Sequence, residues 1–137
     1  AILEEKPIEV FNNGNHTRDF TYIDDIVEGI IKTMNSNAVN NKSWNSDHPD
    51  PASSNVPWKI YNIGNNNPVQ LLEYIEALQK VLNKKAKIKL LPLQQGDVAN
   101  TYSNTDNLKN EFNYKPSKPV FDGISEFVKW YKYYYKI

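Results

Sequence analysis

Ile23, Ile26, Val27, Ile30, Ile31 and Met34 recur at helical spacing and form one apolar stripe. This spacing predicts an amphipathic helix. Asp24 and Asp25 stand where its N-cap belongs, and Glu28 three residues after Asp25 completes a capping-box pattern. The residues just before it, from Arg18 to Tyr22, join a loop cation to a short β-prone segment. Arg18 therefore sits at a strand-to-helix junction, where α/β folds commonly meet a ligand.

The remaining chain divides by the same rules. Ala1-Ile2-Leu3-Glu4-Glu5-Lys6 reads as the last turn or two of a helix, ended by Pro7. Ile8-Glu9-Val10-Phe11 alternates as a short strand, and Asn12-Asn13-Gly14-Asn15 is a turn. Residues 35–57 are polar and aperiodic, which predicts a long surface loop pinned to the body by Trp44. Lys59-Ile60-Tyr61-Asn62-Ile63-Gly64 reads as a buried strand closed by glycine. Leu71, Leu72, Ile75, Leu78, Val81 and Leu82 mark a second amphipathic helix. Ala86-Lys87-Ile88-Lys89-Leu90-Leu91 alternates as an exposed or edge strand, and Gln94-Gln95-Gly96-Asp97 is a loop. Residues 105–112 suggest a short helix capped by Asn104. A last helix runs from Val120 to about Tyr135, with Phe121, Ile124, Phe127, Val128 and Tyr131 on one side. Short strands among four helices predict an α/β unit, a small mixed sheet with flanking helices.

Several chemistries are disfavoured. Lys+Arg and Asp+Glu are equal at 16 each, so charge supports neither nucleic acid nor a membrane surface as partner. Cysteine is absent, which removes disulfides and thiolate metal sites. No apolar run approaches the roughly 20 residues of a membrane span, and a cytoplasmic protein is the expectation. His16 and His48 are far apart without an obvious third ligand and read as surface histidines. Gly14, Gly29, Gly64, Gly96 and Gly123 are scattered singly, so no glycine-rich pyrophosphate cradle is formed. Tyr114 and Lys118 have Tyr-x-x-x-Lys spacing, but Pro116 and Pro119 oppose the helix that would align them. Asp24-Asp25 is explained by capping before any acid/base pair, and the aromatic end from Trp130 to Tyr135 by core packing with snorkelling lysines.

Arg18-Asp19-Phe20-Thr21-Tyr22-Ile23-Asp24-Asp25 is similar to the RDFTYIDD signature of nucleotide-sugar epimerases and dehydratases, the extended short-chain dehydrogenase/reductases. Within them it most resembles UDP-glucuronate 4-epimerases. Leu91-Pro92-Leu93-Gln94-Gln95-Gly96-Asp97-Val98 resembles their LPLQPGDV segment, with Gln95 in place of Pro. Pro51-Ala52-Ser53-Ser54, and Tyr61-Asn62-Ile63-Gly64-Asn65 followed by Pro68-Val69, agree with the same group. The Tyr114 stretch resembles the family's Gly-Tyr-x-Pro turn, with Asn113 in place of Gly. Thr101-Tyr102-Ser103-Asn104 departs from the family's Thr-Tyr-Ala-Asp.

The resemblance implies that residues 1–137 are the C-terminal nucleotide-sugar-binding domain of a Rossmann-type epimerase. Its NAD-binding domain, with the catalytic Ser/Thr, Tyr and Lys, would lie upstream. Such an enzyme oxidises C4 of the sugar with bound NAD, lets the 4-keto sugar rotate and returns the hydride, and often forms a homodimer. For this chain the resemblance implies substrate-binding residues only, without catalytic, cofactor-binding or metal-binding ones. Arg18 would grip the UDP diphosphate, Phe11 face the uracil and Asp97 accept from ribose hydroxyls. Gln94 would stand where broader relatives place an Arg on phosphate. From the residues alone, Phe11 is more simply an ordinary strand residue, whereas Arg18 is equally a ligand contact or a surface partner of Asp19 or Asp25, and Asp97 equally a hydroxyl acceptor or a turn cap. A dTDP-sugar 4,6-dehydratase or another nucleotide-sugar epimerase shares the scaffold, and a non-catalytic nucleotide-sugar-binding module is the alternative of another class. The family's chain crosses between its domains, so the helix opened by Asp24 and the strand around Tyr61 are expected to belong physically to the larger one.

Overall fold

The computed structural model describes all residues 1–137. Strand β1 (Pro7–Val10) runs into a 3-10 turn (Phe11–Gly14), then β2 (Thr17–Arg18) and helix α1 (Ile23–Met34). After the long loop come β3 (Val69–Gln70), α2 (Leu71–Leu82), β4 (Lys87–Leu90), α3 (Asp106–Phe112) and α4 (Val120–Tyr135). The fold is α/β, and its strands make two pairs. β1 lies parallel to β4, with Val10 opposite Leu90, and β2 lies antiparallel to β3. The opening residues form one turn, closed by Lys6 N–H donating to Ala1 O at 2.9 Å, in place of a longer helical remnant.

The core is small. Ile75 from α2 and Ile124 and Val128 from α4 are buried where these two helices pack, and Phe20 stacks on Tyr74 of α2 at 4.0 Å between ring centroids. Leu108 and Tyr114 are fully enclosed, and the Tyr114 hydroxyl donates to Gly64 O at 3.1 Å. Asn113 before it is left-handed (φ 49°), the conformation for which the resembling turn uses glycine. Residues 114–118 are not helical, and Lys118 Nζ lies over the Tyr22 ring, 5.3 Å from its centroid.

Four expectations are corrected. Helix α1 forms, but Tyr22 is its N-cap and no side chain caps it. Asp24 and Asp25 fall inside the first turn, where they complement the helix dipole. The Asp25 carboxylate instead accepts from Ser117 N–H at 2.9 Å and Lys118 N–H at 3.2 Å, tying α1 to the loop that leads into α4. Glu28 pairs with Lys32 at 3.4 Å and does not reach back. Ile23, Val27, Ile30, Ile31 and Met34 of the α1 stripe are all exposed.

The segment around Tyr61 is no buried strand. Its one ladder contact is a bridge between Ser53 and Lys59, and Ile60 is half exposed. Residues 35–57 do form a loop without regular structure, held by Asn41 Nδ2 donating to Ser53 Oγ at 2.9 Å and Ile60 N–H donating to Ala52 O at 2.9 Å. Trp130, Tyr133, Tyr134 and Tyr135 are exposed and pack on one another, with Trp130 stacked on Tyr134. Helix α4 has 16 residues against 12 in α2, and its buried side chains all precede Lys129. Its last turns have outrun the core. His16, finally, is buried at 3% exposure, whereas His48 is exposed as expected.

Two tyrosines are held protonated. Burial, and then the nearby carboxylates of Asp25, Glu28 and Asp19, push Tyr114 up to about 12. Burial, with the hydrogen bond to Glu111, does the same for Tyr61. A raised phenol favours the neutral folded form, so this stability is complete below pH 10 and is lost as pH rises from 10 towards 12. An alkaline absorbance titration should therefore show Tyr61 and Tyr114 ionising only towards pH 12, as the protein unfolds. Ionisation of Tyr61 or Tyr114 near pH 10 in folded protein, read by comparison with the Tyr61→Phe and Tyr114→Phe variants, would contradict this packing.

Candidate functional site

Parallel strands β1 and β4 end side by side, and ligands of α/β folds gather beyond such carboxyl ends. Leu91 N–H donates to Val10 O and Asn13 N–H to Leu91 O, both at 2.9 Å, so the turn after β1 and the loop after β4 leave the pair together. Phe11 opens that turn and is half-buried. Gln94 and Asp97 lie in the loop, both exposed, with Asp97 N–H donating to Gln94 O at 3.1 Å. Gly96 between them has φ +83°, which a side chain at this turn would strain.

Strand β2 brings Arg18 to the same loop. Thr17 N–H donates to Ala99 O at 3.0 Å and Thr101 N–H to Thr17 O at 3.1 Å, laying residues 99–101 along β2. Arg18 is turned onto this strip. Its Nη1 donates to Thr17 O and Ala99 O, each at 3.0 Å, and its Nη2 to Val98 O at 2.8 Å. Nη2 also reaches Asp97 Oδ1 at 3.2 Å and His16 Nδ1 at 2.9 Å. Two of the four expected substrate-binding residues, Arg18 and Asp97, are thus an ion pair. The surface pairing of Arg18 with Asp19 or Asp25 does not occur. The Arg18 side chain is three-quarters buried and that of its Asp97 partner one-third exposed, so the pair sits at the edge of solvent.

Asp19 was not singled out from sequence, yet it organises the surroundings. Its carboxylate accepts from Asn66 N–H at 3.0 Å, Asn67 N–H at 3.2 Å and Ser103 N–H at 3.1 Å. Gly64 lies beneath this knot, where an added Cβ would stand 2.4 Å from the Ser103 side chain. The eight-residue signature therefore acts largely as a clasp. Arg18 holds residues 97–99, Asp19 holds 66–67 and 103, Phe20 stacks on α2, and Asp25 holds 117–118. His16 was also missed as a site residue. No spacing in the sequence signals it, because its ring contacts, Arg18 and Asp97, come together only in the fold.

Two of the cavities that lie elsewhere differ sharply in their linings. One of about 230 Å³ is apolar and lined by Phe20, Tyr22, Tyr74, Ile124 and Phe127. The other, about 440 Å³, is polar and lies between the long loop and α3, with Lys59, Tyr61 and Glu111 in its wall. Glu111 is paired with both Lys59 and Tyr61 there; burial pushes its carboxyl up, but these two partners outweigh it and hold it below the usual range. Neither cavity includes Phe11, Arg18, Gln94 or Asp97. No group of three or more His, Asp or Glu residues could hold a metal ion.

This fold is that of a class, the Rossmann-type nucleotide-sugar epimerases and dehydratases. The sequence profile of the GDP-mannose 4,6-dehydratase family matches residues 1–127, and the chain belongs to that family. Among its relatives, Protein CapI of Staphylococcus aureus is 48% identical over 136 residues, covering 99% of this chain and 41% of CapI. A probable UDP-glucuronate 4-epimerase of Rhizobium meliloti is 35% identical over 137 residues, covering 99% of this chain and 40% of that protein. The UDP-glucuronic acid 4-epimerase of Bacillus cereus, solved with UDP-glucuronic acid and NAD, superposes with a TM-score of 0.72 at 26% identity, over 94% of this chain and 37% of its own. The chain thus spans about two-fifths of the length of the curated relatives it matches.

Helices α1 to α4 begin at Tyr22, Gln70, Thr105 and Pro119, none of them within a glycine-rich turn. A dinucleotide pyrophosphate would find no backbone cradle among these residues.

Proposed function

We propose that this chain is the nucleotide-sugar-binding portion of an NAD-dependent 4-epimerase acting on a UDP-hexuronate, with NAD held by residues outside these 137. The observation that carries the reading is the Arg18–Asp97 pair beside the carboxyl ends of β1 and β4. Arg18 is a permanent cation with a planar fork suited to phosphate oxygens. Asp97, an acceptor only, suits the hydroxyl donors of ribose. In the free chain the two neutralise each other. A bound diphosphate replaces the carboxylate at Nη2, and Asp97 turns to the ribose. Phe11 offers a ring to the uracil face, and Gln94 adds an uncharged contact to phosphate. Together they hold the UDP end while leaving the sugar free to turn, which is positioning and not bond-making.

The exposed apolar face of α1 and the unpaired strand-like segment around Tyr61 support a second element of the reading. They dock on the NAD-binding Rossmann domain of the same enzyme. A 4-epimerase is favoured over a 4,6-dehydratase by the UDP-glucuronate 4-epimerases among relatives at 35–38% identity.

The test is a comparison of UDP and NAD as ligands, followed by an assay with UDP-glucuronate. The 137-residue chain should bind UDP, give no calorimetric signal with NAD and leave UDP-glucuronate unchanged when NAD is supplied. NAD binding or measurable epimerisation by this chain alone would overturn the division of labour.

A further inference from the structure

His16 precedes β2, and backbone bonds on both sides hold it: its N–H donates to Gly14 O and its carbonyl accepts from Leu71 N–H, both at 2.9 Å. The ring is buried, with Nδ1 2.9 Å from Arg18 Nη2 and 3.6 Å from Asp97 Oδ2. A guanidinium can only donate, so Nδ1 accepts and carries no proton. The proton of the neutral ring is then on Nε2, which is buried without a partner. A buried orphan donor is destabilising, and an apolar side chain would fill this space without it. The favourable polar contribution of this imidazole is the Nδ1 lone pair, and that lone pair is aimed at Arg18.

Arg18 Nη2 has two hydrogens and three acceptors in reach: Val98 O at 2.8 Å, His16 Nδ1 at 2.9 Å and Asp97 Oδ1 at 3.2 Å. Of the two nearer acceptors, one is the buried His16 ring and the other a backbone carbonyl. The farthest is the carboxylate on the exposed loop, and it is the partner most readily exchanged. We propose that His16 is a positioning residue for the nucleoside diphosphate, holding the guanidinium of Arg18 in place independently of Asp97. When phosphate oxygens replace the Asp97 carboxylate, Arg18 does not have to be reordered. This inference rests on the reading of Arg18 as the diphosphate contact.

Asparagine at position 16 places its Oδ1 close to where Nδ1 lies and keeps the acceptor, whereas leucine fills the space without one. UDP and uridine are titrated calorimetrically into the protein and its His16→Leu, His16→Asn and Arg18→Ala variants, with melting temperatures recorded. His16→Leu should weaken UDP binding about three- to tenfold, because the lost Arg18 bond reaches the ligand only through positioning, and leave uridine unchanged. His16→Asn should recover most of the loss. The imidazole ¹⁵N shifts of His16 should report the Nε2–H tautomer both before and after UDP is added. If His16→Leu binds UDP as tightly as the parent while Arg18→Ala does not, His16 only fills space and the inference fails, with the reading of Arg18 intact. If Arg18→Ala also leaves UDP affinity unchanged, the reading falls and takes the inference with it. Equal loss of UDP and uridine in both His16 variants, with lower melting temperatures, would make the role structural and overturn it. Should His16→Leu not fold, the remaining two measurements decide: a protonated Nδ1, or a His16→Asn variant that loses UDP binding while keeping uridine, would refute the inference.

Discussion

Replacing Asp25 by alanine should lower the unfolding free energy by about 2–4 kcal/mol, because a buried carboxylate that holds two backbone N–H groups is removed. Asp25 is 3% exposed, and its oxygens take Ser117 N–H and Lys118 N–H, with the Ser117 hydroxyl at 3.4 Å. Without it those donors remain in a partly enclosed loop, and α1 loses its tie to the segment entering α4. Asp24, one residue earlier and exposed, should cost only about 0.3–1 kcal/mol as alanine, through the helix dipole. Asp25→Asn keeps one acceptor oxygen and should fall between the two. Chemical denaturation of the three variants checks this order. Equal losses near 1 kcal/mol for Asp24→Ala and Asp25→Ala would return both residues to a capping role.

The larger functional effect should come from Arg18. Loss of a charge-assisted contact to the diphosphate costs about 1.5–3 kcal/mol, roughly ten- to a hundredfold in affinity. Arg18→Ala should weaken UDP and UDP-glucuronate by similar factors, because the contact is to phosphate and not to the sugar. Uridine binding should be affected much less. Arg18→Lys should recover only part, since an ammonium lacks the planar fork that here reaches Thr17 O, Ala99 O and Val98 O at once. Those three carbonyls also lose the Arg18 donor in the alanine variant, although Thr17 O and Ala99 O keep their backbone partners, so the melting temperature should fall as well. The phosphate role is read from the difference between UDP and uridine, which a purely structural loss would not produce.

Helices were the legible part of this chain. Apolar spacing located α1, α2 and α4 close to their ends, because a helix is specified by neighbours three and four residues away. Asn104 is not the cap expected of it: Thr105 is the N-cap of α3 without a side-chain cap bond, and Asn104, one residue before it, accepts from Asp106 N–H at 2.9 Å. Strands β2 and β3 have two residues each and left no period to detect. The segment around Tyr61 has the composition of a buried strand, but burial requires a partner sheet, and this chain supplies only a single bridge. The carboxylates misled for a related reason. Asp24 and Asp25 are identical in sequence terms, and what separates them is the backbone of Ser117 and Lys118, about ninety residues on. Backbone donors have no sequence identity, so neither this contact nor the Asp19 knot could be read in advance. Arg18 and Asp97 were each legible as candidates through the segments that carry them. Their pairing, and His16 beneath it, required the fold.

The most direct test of the central claim is an amide ¹H–¹⁵N NMR titration of the protein with UDP. Shifts should concentrate at residues 16–19, in the turn from Phe11 to Gly14, and in residues 91–101 after β4, and the same titration with Arg18→Ala should need at least tenfold more UDP. Shifts confined to another surface, such as the polar cavity by Lys59 and Glu111, or no shifts at millimolar UDP, would contradict the assignment of this edge as the nucleotide site.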